Sequence, residues 1–218
     1  MNESLDCQIQ YWNGPGSVKV FAHPVNFARL RNLLRPTSPI VEVGCGRGRV
    51  LESLLDHGFR NLTGFDAASA MVEQARHRLP TLRFETIVPP HLPVPDASVE
   101  GVLLFAVLTC IPSDHGQQAL IREIQRVLRP GGLLYISDYW LQGDARNRQR
   151  YEQFASEFGT YGVFRLPEGA VFRHHERTWI QDLTRGFQPA AMDEIQVETM
   201  NGHQAEGFQW FGSLPVAG

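Results

Sequence analysis

The sequence predicts an open α/β sheet with helices packed on both faces. Between residues 36 and 138, strand-like apolar runs alternate with helical stretches five times, the rhythm of a doubly wound, largely parallel sheet. One of those runs, VEGVLLFAVLTCI (99–111), is almost wholly apolar, as a strand buried on both faces must be. A third observation concerns VEVGCGRGRV, Val41 to Val50. There an apolar run breaks into glycines at 44, 46 and 48, so something sits close enough to the backbone to exclude side chains.

The elements follow in order. Residues 1–17 are a polar lead-in containing the turn sequence NGPGS. Residues 18–35 begin irregularly around Pro24, then show helical spacing at Phe27, Leu30, Leu33 and Leu34 before PTSP stops them. PIVEVG is the first strand. RVLESLLDHG follows as a helix with Val50, Leu51, Leu54 and Leu55 on one face and Gly58 as its stop. RNLTGFD is a second strand ending in Asp66, AASAMVEQARHRL a helix ended by Pro80, and LRFETIV a third strand. After the proline-rich loop PPHLPVPDAS comes the apolar fourth strand. SDHGQQALIREIQRVL is a capped amphipathic helix, and PGG turns the chain into LLYISDYW, the fifth strand. Beyond residue 140 the rhythm changes. LQGDARNRQRYEQFASEF reads as a polar helix, TYGVFRLPEGAVFRHH as a hairpin and ERTWIQDLTRGF as a last helix. AMDEIQVETM and EGFQWFGSL alternate as an antiparallel pair joined through NGHQ.

Composition narrows the function. A chain of 218 residues suits one core with a small appendage. It has no apolar run long enough to span a bilayer, and its first residues lack the basic-then-apolar pattern of a secretory signal. The three cysteines, Cys7, Cys45 and Cys110, are scattered and form no CxxC pair, which suits a reducing cytoplasm. No spacing resembles a metal site. The net charge of −3, with no basic stripe, disfavours nucleic acid. A small-molecule partner is expected, with no membrane contact, on a monomer or homodimer.

The glycine stretch separates three chemistries. A P-loop requires Lys and then Ser or Thr after its last glycine; here Gly48 is followed by Arg49 and Val50. A dinucleotide fingerprint, GxGxxG, counted from Gly44 reaches Arg49 and breaks. What stands is GxGxG, with Asp66 at the end of the next strand.

Those residues, with GFD, LPVPDASVEGVLL and REIQRVLRPGGLLYISD in the same order, resemble the motifs of the class I S-adenosylmethionine-dependent methyltransferases over residues 40–138. The resemblance implies a Rossmann-like seven-stranded sheet with its last strand antiparallel and a small cap insertion after strand five. One domain would cover 1–218, its core 36–138 and 175–214, its cap 1–35 and 139–174. S-adenosylmethionine would be the cofactor and S-adenosylhomocysteine the product. Gly44, Cys45, Gly46 and Gly48 would let the backbone approach the methionine part. Asp66 would accept from the ribose hydroxyls, although Asp is also a strong helix cap. Glu42 precedes the loop as an acid does in many relatives, and an outward-facing strand position is its other reading. Ala67 and Met71 would lie by the adenosine, Phe105 and Ala106 would line the cofactor after strand four, and core packing is the other reading for Met71 and for Phe105. Many relatives place Asp after strand three at the adenine amino group; that position here is Val88, so backbone and apolar contacts would hold the base, with Glu85 available only in a shifted register.

Methyl transfer from a sulfonium is an in-line displacement that asks mainly for positioning and desolvation. Candidate polar groups near the acceptor are His23, Asp138, Tyr139 and His174, a histidine serving as base near neutral pH. The aromatics of the cap, among them Trp12, Phe21, Tyr151 and Phe172, would wall the pocket, more than half of them acting structurally. Adjacent His174 and His175 would point to opposite sides of an extended chain. After strand four FAVLTCIP stands where an Asn-Pro-Pro motif would mark an adenine or glutamine amino methyltransferase. The readings are therefore methyl transfer to a small molecule, a non-catalytic cofactor-binding module, and a nucleotide-dependent oxidoreductase disfavoured by the broken GxGxxG.

Overall fold

In the computed structural model, which describes residues 5–216, β1 (Ile40–Val43) lies at the centre of a parallel array. It pairs with β2 (Leu62–Asp66) on one side and β4 (Val99–Phe105) on the other. Outside these run β3 (Arg83–Thr86) and β5 (Leu128–Tyr139), also parallel to their neighbours. β9 (Gln204–Ser213) enters antiparallel beside β5, and β8 (Gln188–Glu198) pairs antiparallel with β9 at the free edge. The order is β3-β2-β1-β4-β5-β9-β8, seven strands with the last in sequence reversed. The outer four residues of the expected 1–218 span at the N-terminus and two at the C-terminus lie outside the described residues.

Strand alternation sorts the core onto two faces. Val41, Val43, Val102, Leu104, Leu134 and Ile136 meet α5 (Asp114–Val127) and α7 (Arg177–Leu183) on one. Ile40, Leu103, Phe105, Leu133 and Tyr135 meet α2 (Phe27–Leu33), α3 (Arg49–Asp56) and α4 (Ser69–Arg78) on the other. Ser113 caps α5 through its hydroxyl, which accepts from the Gly116 N–H at 2.9 Å, as the sequence predicts.

Two boundaries shift. The fourth apolar run leaves the sheet at Phe105: Ala106 takes φ 54° and residues Leu108–Cys110 form a 3-10 turn, with Leu108 and Thr109 buried and Cys110 half-buried. Burial, not extension, accounts for the rest of that run. The polar lead-in contains α1 (Ile9–Asn13) and a 3-10 turn, Pro15–Val18. Its helix is only five residues long, too short to show a period.

Beyond β5, α6 (Ala145–Phe158) packs with the hairpin of β6 (Val163–Arg165) and β7 (Val171–Arg173). Tyr11, Tyr151, Phe164 and Phe172 form its small core. Among the described residues no helix is long and apolar enough to cross a membrane.

Candidate functional site

A cavity of about 550 Å³ opens at the carboxyl ends of β1, β2 and β4, where doubly wound sheets bind ligands and within the size range of cofactor pockets. Its floor is the glycine loop. The Gly46 N–H donates to Asp66 Oδ2 at 2.8 Å, and the Ala68 N–H donates to Oδ1 at 2.9 Å. One carboxylate thus ties the loop after β1 to the start of α4. Burial raises the Asp66 pKa, and the amide bonds from Ala68 and Gly46 work against that rise.

The three glycines differ in their surroundings. A Cβ on Gly44 would come within 2.7 Å of Val107 Cγ2, and one on Gly48 within 3.1 Å of Phe84 Cζ. Those two let the loop pack against its own protein. Gly46, at φ +52°, would place a Cβ in open space, with nothing inside 4 Å, and it lines the cavity.

Glu42, Gly44, Cys45, Gly46, Asp66, Ala67, Met71, Phe105 and Ala106 all line this cavity. Glu42 is 2 % exposed, its Oε2 has no partner, and burial pushes its pKa well up despite Arg49 nearby. Gly48 stands behind the loop, against Leu79 and Phe84. Val88 is away from the lining and 83 % exposed. The chain alternates as it leaves β3: the Ile87 N–H donates to the Asp66 carbonyl, so Ile87 faces in and Val88 out. Ile87, Pro89 and Pro90 take the lining position expected of Val88. Glu85 pairs with Arg83 on the outside of β3.

The four polar residues expected at the acceptor sit behind the lining. Asp138 is fully buried, accepting from the Tyr139 N–H at 2.8 Å and the Thr109 N–H at 3.2 Å. Desolvation pushes its pKa up to about 7. Its Oδ1 is 3.8 Å from His175 Nδ1. His174 accepts or donates at Nδ1 with the Tyr151 hydroxyl, 2.5 Å away, and burial holds it neutral. His175 bonds instead to Gln117 and the Tyr139 carbonyl, so the two histidines do face opposite ways. His23 is fully buried, with Nδ1 2.9 Å from Ser137 Oγ, and desolvation pushes its pKa down to about 3. Tyr139 is buried with its hydroxyl unpartnered and its ring 4.6 Å from that of His23. His23, Asp138 and His174 are therefore held by the scaffold, and none of the four lines the cavity. Burial raises both the Cys45 and Cys110 thiols well above their usual range, which disfavours the nucleophilic thiolate.

The N-terminal part of the expected cap supplies a roof, with Trp12 and Phe21 in the lining, and the polar contacts that fasten it were not legible in the sequence. Residues 6–21 cross the cavity mouth and contribute Asp6, Cys7, Trp12, Lys19, Val20 and Phe21 to its lining. Asp6 accepts from the Ser113 N–H at 3.0 Å and hydroxyl at 2.6 Å. Gln8 bonds the Val171 backbone in both senses. At the opposite rim Asn13 Oδ1 accepts the Ala70 N–H at 2.9 Å, capping α4, whose own N-cap residue Ala68 has no side chain to do so. Lys19 donates to Asn201 Oδ1 at 2.6 Å. The signal was thin: isolated polar side chains whose partners lie 57 to 182 residues away.

A doubly wound sheet whose glycine loop is bonded to the acid ending β2, beneath an apolar cavity, has the architecture of a nucleoside-binding domain. Comparison with known proteins agrees. The family described as a methyltransferase domain matches residues 41–136. A solved SAM-dependent methyltransferase from Methanosarcina mazei shares the fold with a TM-score of 0.82 at 22 % identity, over 88 % of this chain and 99 % of that one. A probable S-adenosylmethionine-dependent methyltransferase of Mycolicibacterium smegmatis is 35 % identical over 45 % of this chain and 37 % of that protein. EEF1A lysine methyltransferase 4 of Bos taurus is 30 % identical over 57 % of this chain and 58 % of that protein. The match therefore covers less than two thirds of the length of these curated relatives. Over residues 41–136 the chain is thus similar to the methyltransferase-domain family, and it shares the fold of a solved SAM-dependent methyltransferase.

Proposed function

We propose that this protein transfers a methyl group from S-adenosylmethionine to a small-molecule acceptor. The observation that carries the small-molecule part is the roofed cavity: the chain's own residues 6–21 cross its mouth and are fastened at both rims. A folded protein offering a side chain would meet that roof first. The absence of a basic stripe in a chain of net charge −3 speaks against nucleic acid.

The residues fit the cofactor. Asp66, held by two amides, offers its carboxylate to a diol. Gly46 leaves room at the loop, and the unpartnered Glu42 Oε2 suits a cationic group. Met71, Ile87 and Pro89 supply apolar walls for a base. When bound, S-adenosylmethionine supplies a methyl group already activated on a sulfonium. The protein's part is then to orient the two reactants and exclude water. Trp12, Phe21, Phe105 and Val107 surround the remaining space with apolar surface. With His23 and His174 held neutral and turned into the scaffold, no side-chain base is assigned to the step. The three free cysteines suit a reducing, cytoplasmic setting.

The test is calorimetric titration with S-adenosylmethionine, S-adenosylhomocysteine and NAD, followed by transfer of a labelled methyl group to small-molecule and protein acceptors. Micromolar binding of the first two ligands and label in a small molecule support the proposal. Label only in a lysine of a protein acceptor, the chemistry named for the Bos taurus relative, would redirect it. Binding with no transfer to any acceptor would favour a non-catalytic module.

A further inference from the structure

The order in which the roof is fastened divides the cavity beneath it. Asp6 is bonded to Ser113, the residue that caps α5. Asn13 is bonded to the first turn of α4. Lys19 reaches Asn201, in the turn between β8 and β9. Residues 6–13 therefore bridge the starts of α5 and α4, and only the later part of the roof crosses toward β9. The segment after β3 closes the space between those two helices. Its Leu92 N–H donates to Glu123 Oε1 on α5 at 2.7 Å, and Ile87 shares a hydrophobic cluster with Leu120. Met71, Ile87 and Pro89, the walls assigned above to the base, stand in this chamber.

Helix α5 turns one stripe toward it. His115 and Ala119 line the cavity, and Glu123, one turn further on, holds the segment after β3. That is the i, i+4, i+8 spacing of a single helix face. His115 thus stands at the mouth, about 6 Å along the axis from Ala119.

The chamber is short of polar groups. Met71, Ile87, Ala119 and Leu120 have none that matter in their side chains, and Pro89 and Pro90 have no backbone N–H. The Ile87 N–H already donates to the Asp66 carbonyl, and the Gly116 N–H to Ser113 Oγ. Both carboxylate oxygens of Asp6 accept from Ser113. The Cys7 thiol, in the same stretch of roof, is only a weak donor. His115 has no hydrogen bond or ion pair among the described residues, and a neutral imidazole offers one donor and one acceptor nitrogen. An adenine enclosed here brings a polar edge with an exocyclic amino group, and burying such a group unpaired is costly.

We propose that His115 reads the base of the cofactor, its imidazole accepting from the exocyclic amino group, and so sets the preference for adenine at this end of the cavity. This rests on the methyltransferase reading of the cavity.

The experiment is calorimetric titration of the full chain with S-adenosylhomocysteine and with S-inosylhomocysteine, in which a ring carbonyl replaces the amino group. Wild type is expected to prefer the first by about tenfold, the scale of one hydrogen bond. His115 is exposed, so its replacement leaves the core intact, and His115→Phe keeps a ring there without its nitrogens. That variant should bind S-inosylhomocysteine as wild type does, while its affinity for S-adenosylhomocysteine falls until the two lie within about twofold of each other. Retained S-inosylhomocysteine binding also shows that the variant is folded. The proposal is overturned if wild type binds both ligands equally, or if His115→Phe keeps the wild-type preference. Failure of wild type to bind either ligand would instead remove the methyltransferase reading and this inference with it.

Discussion

The backbone N–H of Gly46 donates to Asp66 Oδ2 across 2.8 Å, joining two loops that are twenty residues apart in sequence. Asp66 is thus both a brace for the glycine loop and the acceptor proposed for the ribose. Asp66→Ala should weaken S-adenosylhomocysteine binding by about 1–3 kcal/mol, the scale of lost hydrogen bonds to a charged group. Calorimetry on the folded variant decides, and an unchanged dissociation constant would place the ribose elsewhere.

Gly46 and Gly44 should separate binding from folding. Gly46→Ala puts a methyl group into open cavity at φ +52°, costing about 1–2 kcal/mol of backbone strain and obstructing the cofactor. Gly44→Ala drives a Cβ to 2.7 Å from Val107 and should chiefly destabilise the fold. Urea unfolding beside calorimetry reads both. Equal stability losses with equal binding would contradict the division.

Asn13 caps a helix that it does not belong to. Asn13→Ala removes the acceptor for the Ala70 N–H and should cost about 1 kcal/mol, as N-cap deletions do. It should also raise hydrogen exchange in residues 9–18. Unaltered exchange there would show that the roof is fastened without it.

His174 is read as structural through Tyr151, whose hydroxyl also accepts from the Gln142 N–H at 3.2 Å. Tyr151→Phe leaves both groups buried and unpaired. It should lower stability by about 1–3 kcal/mol while S-adenosylhomocysteine affinity stays within twofold. A catalytic His174 would instead show as lost turnover in a fully stable variant.

Asp138 and His175 should oppose each other in acid. Burial, with Arg173 nearby, pushes His175 down to about 3 from 6.5, so its stabilising contribution is complete above 6.5 and is lost as pH falls. Asp138 is pushed up to about 7 from 3.8, so its contribution is complete below 3.8 and is lost as pH rises through 7. Between about pH 4 and 6.5 the two slopes cancel. His175→Gln leaves Asp138 uncompensated, and its unfolding free energy should fall relative to wild type by up to about 1.4 kcal/mol per pH unit. Parallel curves for the two proteins from urea titrations at several pH values would refute this.

What was legible in the sequence was whatever repeats or bonds locally. The strands and helices through Tyr139 follow from apolar period, the cap of α5 from Ser113, and the floor of the cavity from the spacing of Gly44, Gly46 and Asp66. The misplacements have physical causes. Val88 and Ile87 differ by one step of a strand, and one step exchanges cavity for solvent. Asp138, Tyr139 and His174 stand at the correct end of the sheet, but α6 and the β6–β7 hairpin cover them, and no local pattern shows which polar groups a distant segment will bury. Asp6, Gln8 and Asn13 belong to the same class: their partners are fixed only once the whole chain has folded.

The fastening of residues 6–21 has a kinetic corollary. Roof and floor belong to one chain but are joined by a handful of separable bonds, Asp6 to Ser113 and Asn13 to Ala70 among them. Anything the cavity encloses can leave as fast as those bonds open together, with the sheet unmoved. Residence time of the nucleoside product, and with it the ceiling on turnover, would then be written into the first two dozen residues and not into the strands that hold the chemistry.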